Sequence, residues 1–377
     1  MATTESLPQS HRALVLKSPD QPLVVEVRPL PQLTSGSAIV RNLNVPLVSY
    51  SRDVWSGKRG VPMITPMVPG GTCVARVAAV GPDATSLKPG QLVYVHNFIA
   101  SRDNPDELVL FGFTSGFSPG TQSMVAKEWR DATLAEYSKV PLENCIPLDE
   151  TRLLGSPEQG GLGYTVDELA YLGFPLVAYG GLRDIDLKPG ETIVIAPATG
   201  QFGGAAVQMA LAMGAATIIA MGRNTQALQR VESLDPTRIK TLQMIGDWEK
   251  ELEALKAFGP IDAFFDISPR EAKDSSHYKS CISALRRNGR ASLMGGLGDM
   301  TIPGFAMVFG NLQLKGRWMW DREHIAGFMR LVNSGQLKLG PRGGNEITGK
   351  FGLEQWDAAF DNAAEKARLG QMTLMIP

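Results

Sequence analysis

The stretch Thr192-Ile193-Val194-Ile195-Ala196-Pro197-Ala198-Thr199-Gly200-Gln201-Phe202-Gly203 decides how the rest of the chain is read. Its first five residues are apolar or β-branched without alternation, as a parallel strand buried on both faces requires. A glycine turn follows. From Gly203 to Met213 the spacing predicts a helix, with Phe202, Ala206, Met209 and Met213 on one face. Ala216-Thr217-Ile218-Ile219-Ala220 is a second strand, so the series forms a βαβ unit.

In a turn of this kind one glycine permits the bend, one lets the backbone approach a pyrophosphate, and one lets helix and sheet pack closely. Here Gly200 and Gly203 fill the second and third places, and Ala198 holds the first. The helix start then offers free N–H groups and a positive dipole end to phosphate. About twenty residues on, a site for NAD carries Asp or Glu to bind the ribose hydroxyls. This chain has Gly222-Arg223-Asn224 there. No carboxylate repels a 2′-phosphate, and Arg223 offers it a planar charged fork. The expected cofactor is therefore NADPH/NADP+.

Working outward, Gln226 to Glu232 and Asp247 to Phe258 read as helices, and Ile261 to Phe265 and Arg290 to Met294 as strands. That alternation predicts a doubly wound parallel sheet, whose ligands bind beyond the carboxyl ends of the strands. Asp266-Ile267-Ser268-Pro269 and Met294-Gly295-Gly296-Leu297 follow two of those ends. The expected cofactor-binding set is Thr199, Gly200, Gln201, Phe202, Gly203, Gly222, Arg223, Asn224, Asp266, Ser268, Gly295, Gly296 and Leu297.

The first third differs. Arg12 to Lys17, Leu23 to Val27, Ala38 to Val48, Thr72 to Val80 and Leu92 to Asn97 read as short strands divided by Pro and Gly turns. They predict a barrel-like β unit. Residues 100–130 mix charge, Gly, Pro and aromatics and read as a long surface excursion. Val166 to Ala178 looks helical. After Trp320 come helical stretches near Glu323 to Asn333 and Leu353 to Lys366, then a closing strand at Met372 to Ile376.

The 377 residues are too many for one small core, and their 44% hydrophobic and 20% charged content is ordinary for globular protein. A net charge of -1 favours neither nucleic acid nor an anionic membrane as partner. Cys73, Cys145 and Cys281 are scattered and odd in number, which argues against a disulfide framework and fits a reducing compartment. No signal peptide is read at the N-terminus, and no apolar run reaches the roughly 20 residues needed to span a bilayer. A cytoplasmic protein is the expectation.

The order of parts resembles the medium-chain dehydrogenase/reductase superfamily. Asp53-Val54-Trp55-Ser56-Gly57 and Val68-Pro69-Gly70-Gly71-Thr72 are similar to two of its early loops. Leu87-Lys88-Pro89-Gly90-Gln91-Leu92-Val93 is similar to its later turn, and the nucleotide motif runs through Val207-Gln208 into Met213-Gly214-Ala215. The resemblance implies a GroES-like β-rich catalytic domain at 1–163 and 321–377, and a Rossmann NADP(H)-binding domain at 164–320. Where zinc-dependent members carry Cys, His and Glu ligands, this chain holds Tyr50, Gly71 and Thr72, and a later ligand place falls near Gly173. Such side chains do not make a Zn²⁺ cage. Residues 100–130 hold no cysteine for a structural zinc lobe. No metal is expected, and the resemblance points to the zinc-independent branch of quinone oxidoreductases and enoyl reductases.

Hydride delivery to a carbonyl or conjugated alkene builds negative charge on an oxygen, which without a metal needs a hydrogen-bond donor or proton source. Tyr50 stands where a ligand would have been and is the first candidate, with Ser51 and Arg52 beside it. Asp53 reads as ordering its loop. Trp55, Phe98, Phe113, Tyr179 and Trp318 are candidate walls for an apolar substrate. His96 and His277 show no Ser or Asp partner arrangement, so no hydrolase triad is inferred. The expected activity is NADPH-dependent reduction of a small carbonyl, quinone or enone. An NADP-linked alcohol oxidation and a catalytically silent NADPH-binding protein remain alternatives. By analogy, residues 311–318 could pair across a homodimer axis.

Overall fold

In the computed structural model, which describes residues 7–272, 274–295 and 301–377, the chain divides into two units. One comprises Met1–Gly173, Ile347–Ala367 and Gln371–Pro377; the other comprises Phe174–Glu346 and Arg368–Gly370. The first begins with an antiparallel ribbon, β1 (Ser10–Val15) with β2 (Val24–Pro29). The long β3 (Ser37–Leu47) follows, then the short helix α1 (Ser51–Trp55). Next come β4 (Cys73–Val80), β5 (Leu92–Val95), β6 (Phe98–Ala100) and β7 (Leu108–Leu110). After them lie α2 (Pro119–Lys127), β8 (Tyr137–Pro141), β9 (Cys145–Pro147), α3 (Glu150–Leu154) and α4 (Val166–Leu169).

The second unit begins at Phe174, the second residue of α5 (Gly173–Asp184). It continues through β10 (Thr192–Ala196), α6 (Gln201–Ala212), β11 (Thr217–Gly222), α7 (Thr225–Glu232), β12 (Ile239–Gln243) and α8 (Trp248–Lys256). β13 (Ile261–Asp266), α9 (His277–Ala284), β14 (Leu285–Leu293), α10 (Gly304–Gly310), β15 (Gln313–Gly316) and α11 (Arg322–Ser334) complete it. The chain then returns to the first unit with β16 (Glu346–Phe351), α12 (Trp356–Glu365) and β17 (Gln371–Met375).

In the first unit the sheet runs β16-β17-β3-β4-β5-β9, with β8 also paired to β3. The eleven residues of β3 are long enough to pair β8 at 37–41 and β17 at 45–47 as well as β4. Leu14, Val40, Trp55, Val93, Phe111 and Phe360 fill the core it wraps. The Lys-Pro-Gly turns read from the sequence recur in both units: Gly90 and Gly190 have φ of 87° and 86°. A turn with Pro second and φ > 0 third wants glycine there.

The second unit carries a parallel sheet in the order β12-β11-β10-β13-β14-β15, so strand order reverses beside β10. The chain is thus a GroES-like domain joined to a Rossmann-like domain with a mixed α/β architecture. The central strands β10, β11 and β13 are largely apolar on both faces, with Ile193, Val194, Ile218, Ile219, Phe264 and Phe265 inaccessible.

Several boundaries differ from the sequence reading. Division falls at Gly173/Phe174 and Glu346/Ile347, not at 163/164 and 320/321. The reason for the second shift is α11: Phe328 is buried with its ring 5.9 Å from Tyr179 of α5, which anchors that helix in the nucleotide unit. Residues 100–130 do not lie wholly on the surface as an excursion. They contain the β6–β7 hairpin and α2, which starts with a Ser118 capping box and Pro119. Val109 and Phe111 within them are buried in the core. β12 and α9 went unread, because Ile-Lys-Thr-Leu-Gln and His-Tyr-Lys-Ser-Cys-Ile-Ser-Ala lack a clear period.

Candidate active site

In the nucleotide unit the expected cofactor residues fall just past the carboxyl ends of four strands. β10 ends at Ala196, β11 at Gly222, β13 at Asp266 and β14 at Leu293. Gly200 caps α6 with no side chain satisfying the helix amides, which leaves those donors available to an anion. A Cβ on Gly200 would meet nothing within 4 Å, so open space lies beside that backbone. Gly203 is the opposite case: the Pro197 carbonyl occupies the place its Cβ would take, so helix and strand close up. Gln201 is buried, and the Phe202 ring packs 5.2 Å from Phe174. Thr199 accepts from the amide of Leu369 at 3.1 Å, and its methyl would be 2.7 Å from a Cβ on Gly222.

Arg223 is exposed at the end of β11, and among the described residues no ion pair holds its guanidinium. Its backbone carbonyl is fixed by the Gln243 amide at 3.1 Å. Asn224 serves the frame, since its side chain accepts from the amide of Ala227 at 2.9 Å and caps α7. Arg368 was missed by the sequence reading. Its backbone bridges to Gly200 and brings a cationic residue to the turn from 168 positions away, a pairing without any local signal. Gly296 and Leu297 lie outside the described residues.

Buried Asp266 and Ser268 and half-buried Gly295 form one group with a residue that the sequence left unpartnered. Asp266 Oδ1 accepts from the amide and hydroxyl of Ser268 at 3.2 and 2.6 Å. His277 Nε2 reaches the same oxygen at 3.2 Å and Ser268 Oγ at 3.0 Å. The expectation that His277 has no Ser or Asp partner is therefore corrected: folding returns α9 under the end of β13. The grouping is not that of a hydrolase. Asp266 and Ser268 share the Nε2 side and Ser275 meets Nδ1 at 2.7 Å, but the ring is fully inaccessible, so it presents no serine to a substrate as a triad does. His96 is buried too, with Nδ1 3.2 Å from the Asn144 amide.

In the first unit, Tyr50 precedes α1 and is half-buried, with the Arg59 guanidinium 4.1 Å over its ring. Burial pushes the phenol above its usual pKa, against the opposing pull of Arg59, so it is a neutral donor. The other two expected catalytic residues hold the loop instead. Ser51 is buried and its hydroxyl donates to the Val48 carbonyl at 2.8 Å. Arg52 bonds Asp357 and Asp361 of α12, each at 2.7 Å. These exposed pairs contribute under about 1 kcal/mol each, so they set the position of α1 more than its stability. Asp53 pairs with Lys58 at 3.1 Å.

The expected aromatic walls separate into core and surface. Trp55 is core: its indole donates to the Gly112 carbonyl at 2.9 Å, and its ring packs on Phe113 and Phe360. Phe98 is buried in β6. Tyr179 is also packing, with its hydroxyl against Gly327 of α11. Trp318 is 43% exposed. Phe113 is the wall candidate that keeps a place: half-buried, it stands 2.9 Å from where Gly71 would carry a Cβ, with the Asn97 amide at 3.8 Å. A separate cavity of about 370 Å³ lies along residues 100–130, lined among others by Arg102, Met124, Trp129 and Glu143. None of the expected site residues borders it.

Two family models match this arrangement. One, described as the alcohol dehydrogenase GroES-like domain, matches residues 37–150. The other, described as zinc-binding dehydrogenase, matches residues 202–334. The chain belongs to the medium-chain dehydrogenase/reductase superfamily. That superfamily comprises oxidoreductases that use a nicotinamide dinucleotide. The chain is 27% identical over 354 residues to the mitochondrial enoyl-acyl-carrier-protein reductase of Homo sapiens, covering 88% of this chain and 81% of that protein. A crotonyl-CoA carboxylase/reductase shares the fold with a TM-score of 0.77 at 14% identity, covering 98% of this chain and 89% of that one. A dehydrogenase of Sinorhizobium meliloti 1021 with NADP bound does so at 0.73 and 18% identity, covering 98% and 100%.

The superfamily's zinc-ligand places can be tested on this chain's own contacts. A Cβ on Gly173 would stand 2.6 Å from the Tyr94 hydroxyl and 3.2 Å from Thr72 Oγ1. So the later ligand place does meet Thr72, as the resemblance requires, but the side chains gathered there are a phenol and an alcohol. Burial pushes Tyr94 well above the usual phenol range, so it supplies no anion. This donor set does not fit Zn²⁺, which takes thiolate, imidazole and carboxylate. Among the described residues, a cluster of such ligands occurs at Asp321, Glu323 and His324, at the start of α11 in the other unit. There Asp321 is engaged by Arg317 at 2.6 Å and by a capping box with His324.

Proposed function

We propose that this oxidoreductase is a zinc-independent, NADPH-dependent reductase that delivers hydride to a carbonyl, quinone or conjugated enone of a small apolar substrate. The observation that carries the reading is Arg223: an exposed guanidinium at the end of β11, with no carboxylate at the ribose place. The uncapped amides of α6 at Gly200 supply the complementary phosphate site. Bound there, NADPH supplies the hydride. Thr199, Gly200 and Gly203 would hold its pyrophosphate, and Arg223 its 2′-phosphate.

In the first unit Tyr50 donates a hydrogen bond, or a proton, to the oxygen that gains charge. Its neutral phenol suits that role, and among the described residues its hydroxyl has no hydrogen-bond partner. Phe113 beside Gly71 offers an apolar wall. The enoyl reductase among the relatives supports reduction of a conjugated alkene as the first chemistry to try.

The protein is further proposed to act as a homodimer through β15, the edge of its sheet, and α10, which exposes Phe305, Val308 and Phe309 at 72% or more. Cytoplasmic residence fits its three free cysteines, and no helix among the described residues is long and apolar enough to cross a membrane. The functional test follows NADPH oxidation at its absorbance band against a panel of enones, quinones and aldehydes. Saturable NADPH binding without turnover on any of them would sink the reductase reading in favour of a silent binding protein.

A further inference from the structure

His277 itself has no part in binding or chemistry as described so far, yet its buried group joins the loops on which the cofactor would lie. His277 is the first residue of α9 and is fully inaccessible. Asp266, the last residue of β13, is equally buried. Its Oδ2 accepts from the Gly295 amide at 3.1 Å, while the Met294 amide donates to its backbone carbonyl at 2.9 Å. One carboxylate therefore ties the loop after β13 to the loop after β14. Gly295 has no room for a side chain, because its Cβ would collide with Asp266 Oδ2 and lie 2.9 Å from the Ser268 amide.

A carboxylate only accepts, so the His277 Nε2 that approaches it carries a hydrogen. Ser275 Oγ, 2.7 Å from Nδ1, completes the ring's partners and fixes its orientation. The helix that presents the ring is held separately. Glu251 of α8 accepts from Ser276 Oγ at 2.8 Å and Ser280 Oγ at 3.0 Å, and from the amides of Ile245 and Gly246 at 2.9 and 3.1 Å. The start of α9 thus braces the loops that leave β12, β13 and β14.

We infer that His277 is a positioning residue of the dinucleotide site: acting through Asp266, it fixes the Ser268 and Gly295 loops that receive the nicotinamide half of the cofactor. The inference rests on the NADPH reading above. The half follows from strand order. Arg223 lies beyond β11 on one side of β10, so a ligand anchored there and at the turn extends its other half toward β13 and β14.

The test titrates the full-length protein with NADPH and with adenosine 2′,5′-bisphosphate, which carries the phosphate end without nicotinamide. Thermal unfolding is recorded for each variant. His277→Phe should weaken NADPH roughly tenfold or more and shift the bisphosphate by less than about threefold, since the buried carboxylate, left one donor short, shifts the loops it ties. His277→Gln keeps an N–H donor and should recover NADPH affinity to within about threefold. Unchanged NADPH affinity in His277→Phe overturns the inference. So does equal weakening of both ligands, which signals general collapse, or failure of Gln to rescue, which signals packing alone. Should His277→Phe not fold, Ser275→Ala keeps the ring, frees its orientation, and should weaken NADPH alone by about threefold. No change there overturns the inference as well. Wild-type protein that binds neither ligand overturns the dinucleotide reading and the inference with it, whereas wild-type binding with unresponsive variants overturns the inference only.

Discussion

The carbonyl oxygen of Pro197 occupies the space that a side chain on Gly203 would need. Strand β10 and helix α6 meet there without an intervening Cβ, which brings the α6 amides level with the end of the strand. Gly203→Val must push the helix outward. Overpacking of this kind costs about 1–3 kcal/mol, and for a unit of this size about 2–4 °C of Tm per kcal/mol. Thermal unfolding should register that loss, and an NADPH titration should show weakened binding. Wild-type values in both would mean that the close approach is not required.

Arg223 faces solvent with its backbone pinned by Gln243. Arg223→Ala should weaken NADPH by roughly tenfold or more, the worth of charge-assisted hydrogen bonds to phosphate. NADH should change little. Equal loss for both cofactors removes Arg223 from the 2′-phosphate role.

Tyr50 is expected to act through its neutral form, and burial raises its pKa. The donor is present below the folded-state pKa and lost above it. Since that value lies above the usual phenol pKa of about 10, its contribution to kcat should be level through neutral pH and decline only in strong alkali. Tyr50→Phe should lower kcat by about a hundredfold, as for loss of one oxyanion donor. Unchanged kcat would assign the proton to solvent.

The Thr72, Tyr94 and Gly173 grouping leads to a metal prediction. Purified active protein should carry no stoichiometric zinc by elemental analysis, and a chelator should leave turnover unchanged. One tightly held Zn²⁺ per chain that is needed for activity contradicts the donor-set argument.

Phe305 and Phe309 stack with centroids 5.4 Å apart on an exposed face of α10. Phe305→Asp with Phe309→Asp should shift a dimer toward monomer by light scattering, because charge on that face opposes apolar burial between copies. A wild-type monomer at micromolar concentration would remove the dimer from the proposal.

Much of the nucleotide unit was legible because its signals are local. The apolar run Thr192–Ala196, the turn and the helix are neighbours in sequence, and strand ends predict where ligands go. Places without period or punctuation were not legible. The Ile239–Gln243 strand acquires its identity only by pairing with β11, and α9 only by packing beneath β13.

By itself the sequence determined the fold class, the glycine turn, the presence of Arg223 and no carboxylate directly after the second nucleotide strand, and the absence of zinc-type ligands at Tyr50, Gly71 and Thr72. These are matters of residue type and short spacing. Tertiary structure alone decided which side chains are free to act. It committed Ser51, Arg52, Asn224 and Trp55 to holding the frame. It also brought Arg368 to Gly200 and His277 to Asp266. A hydrogen bond fixes donor and acceptor within a few ångströms, and that distance comes from the packing of elements remote in sequence.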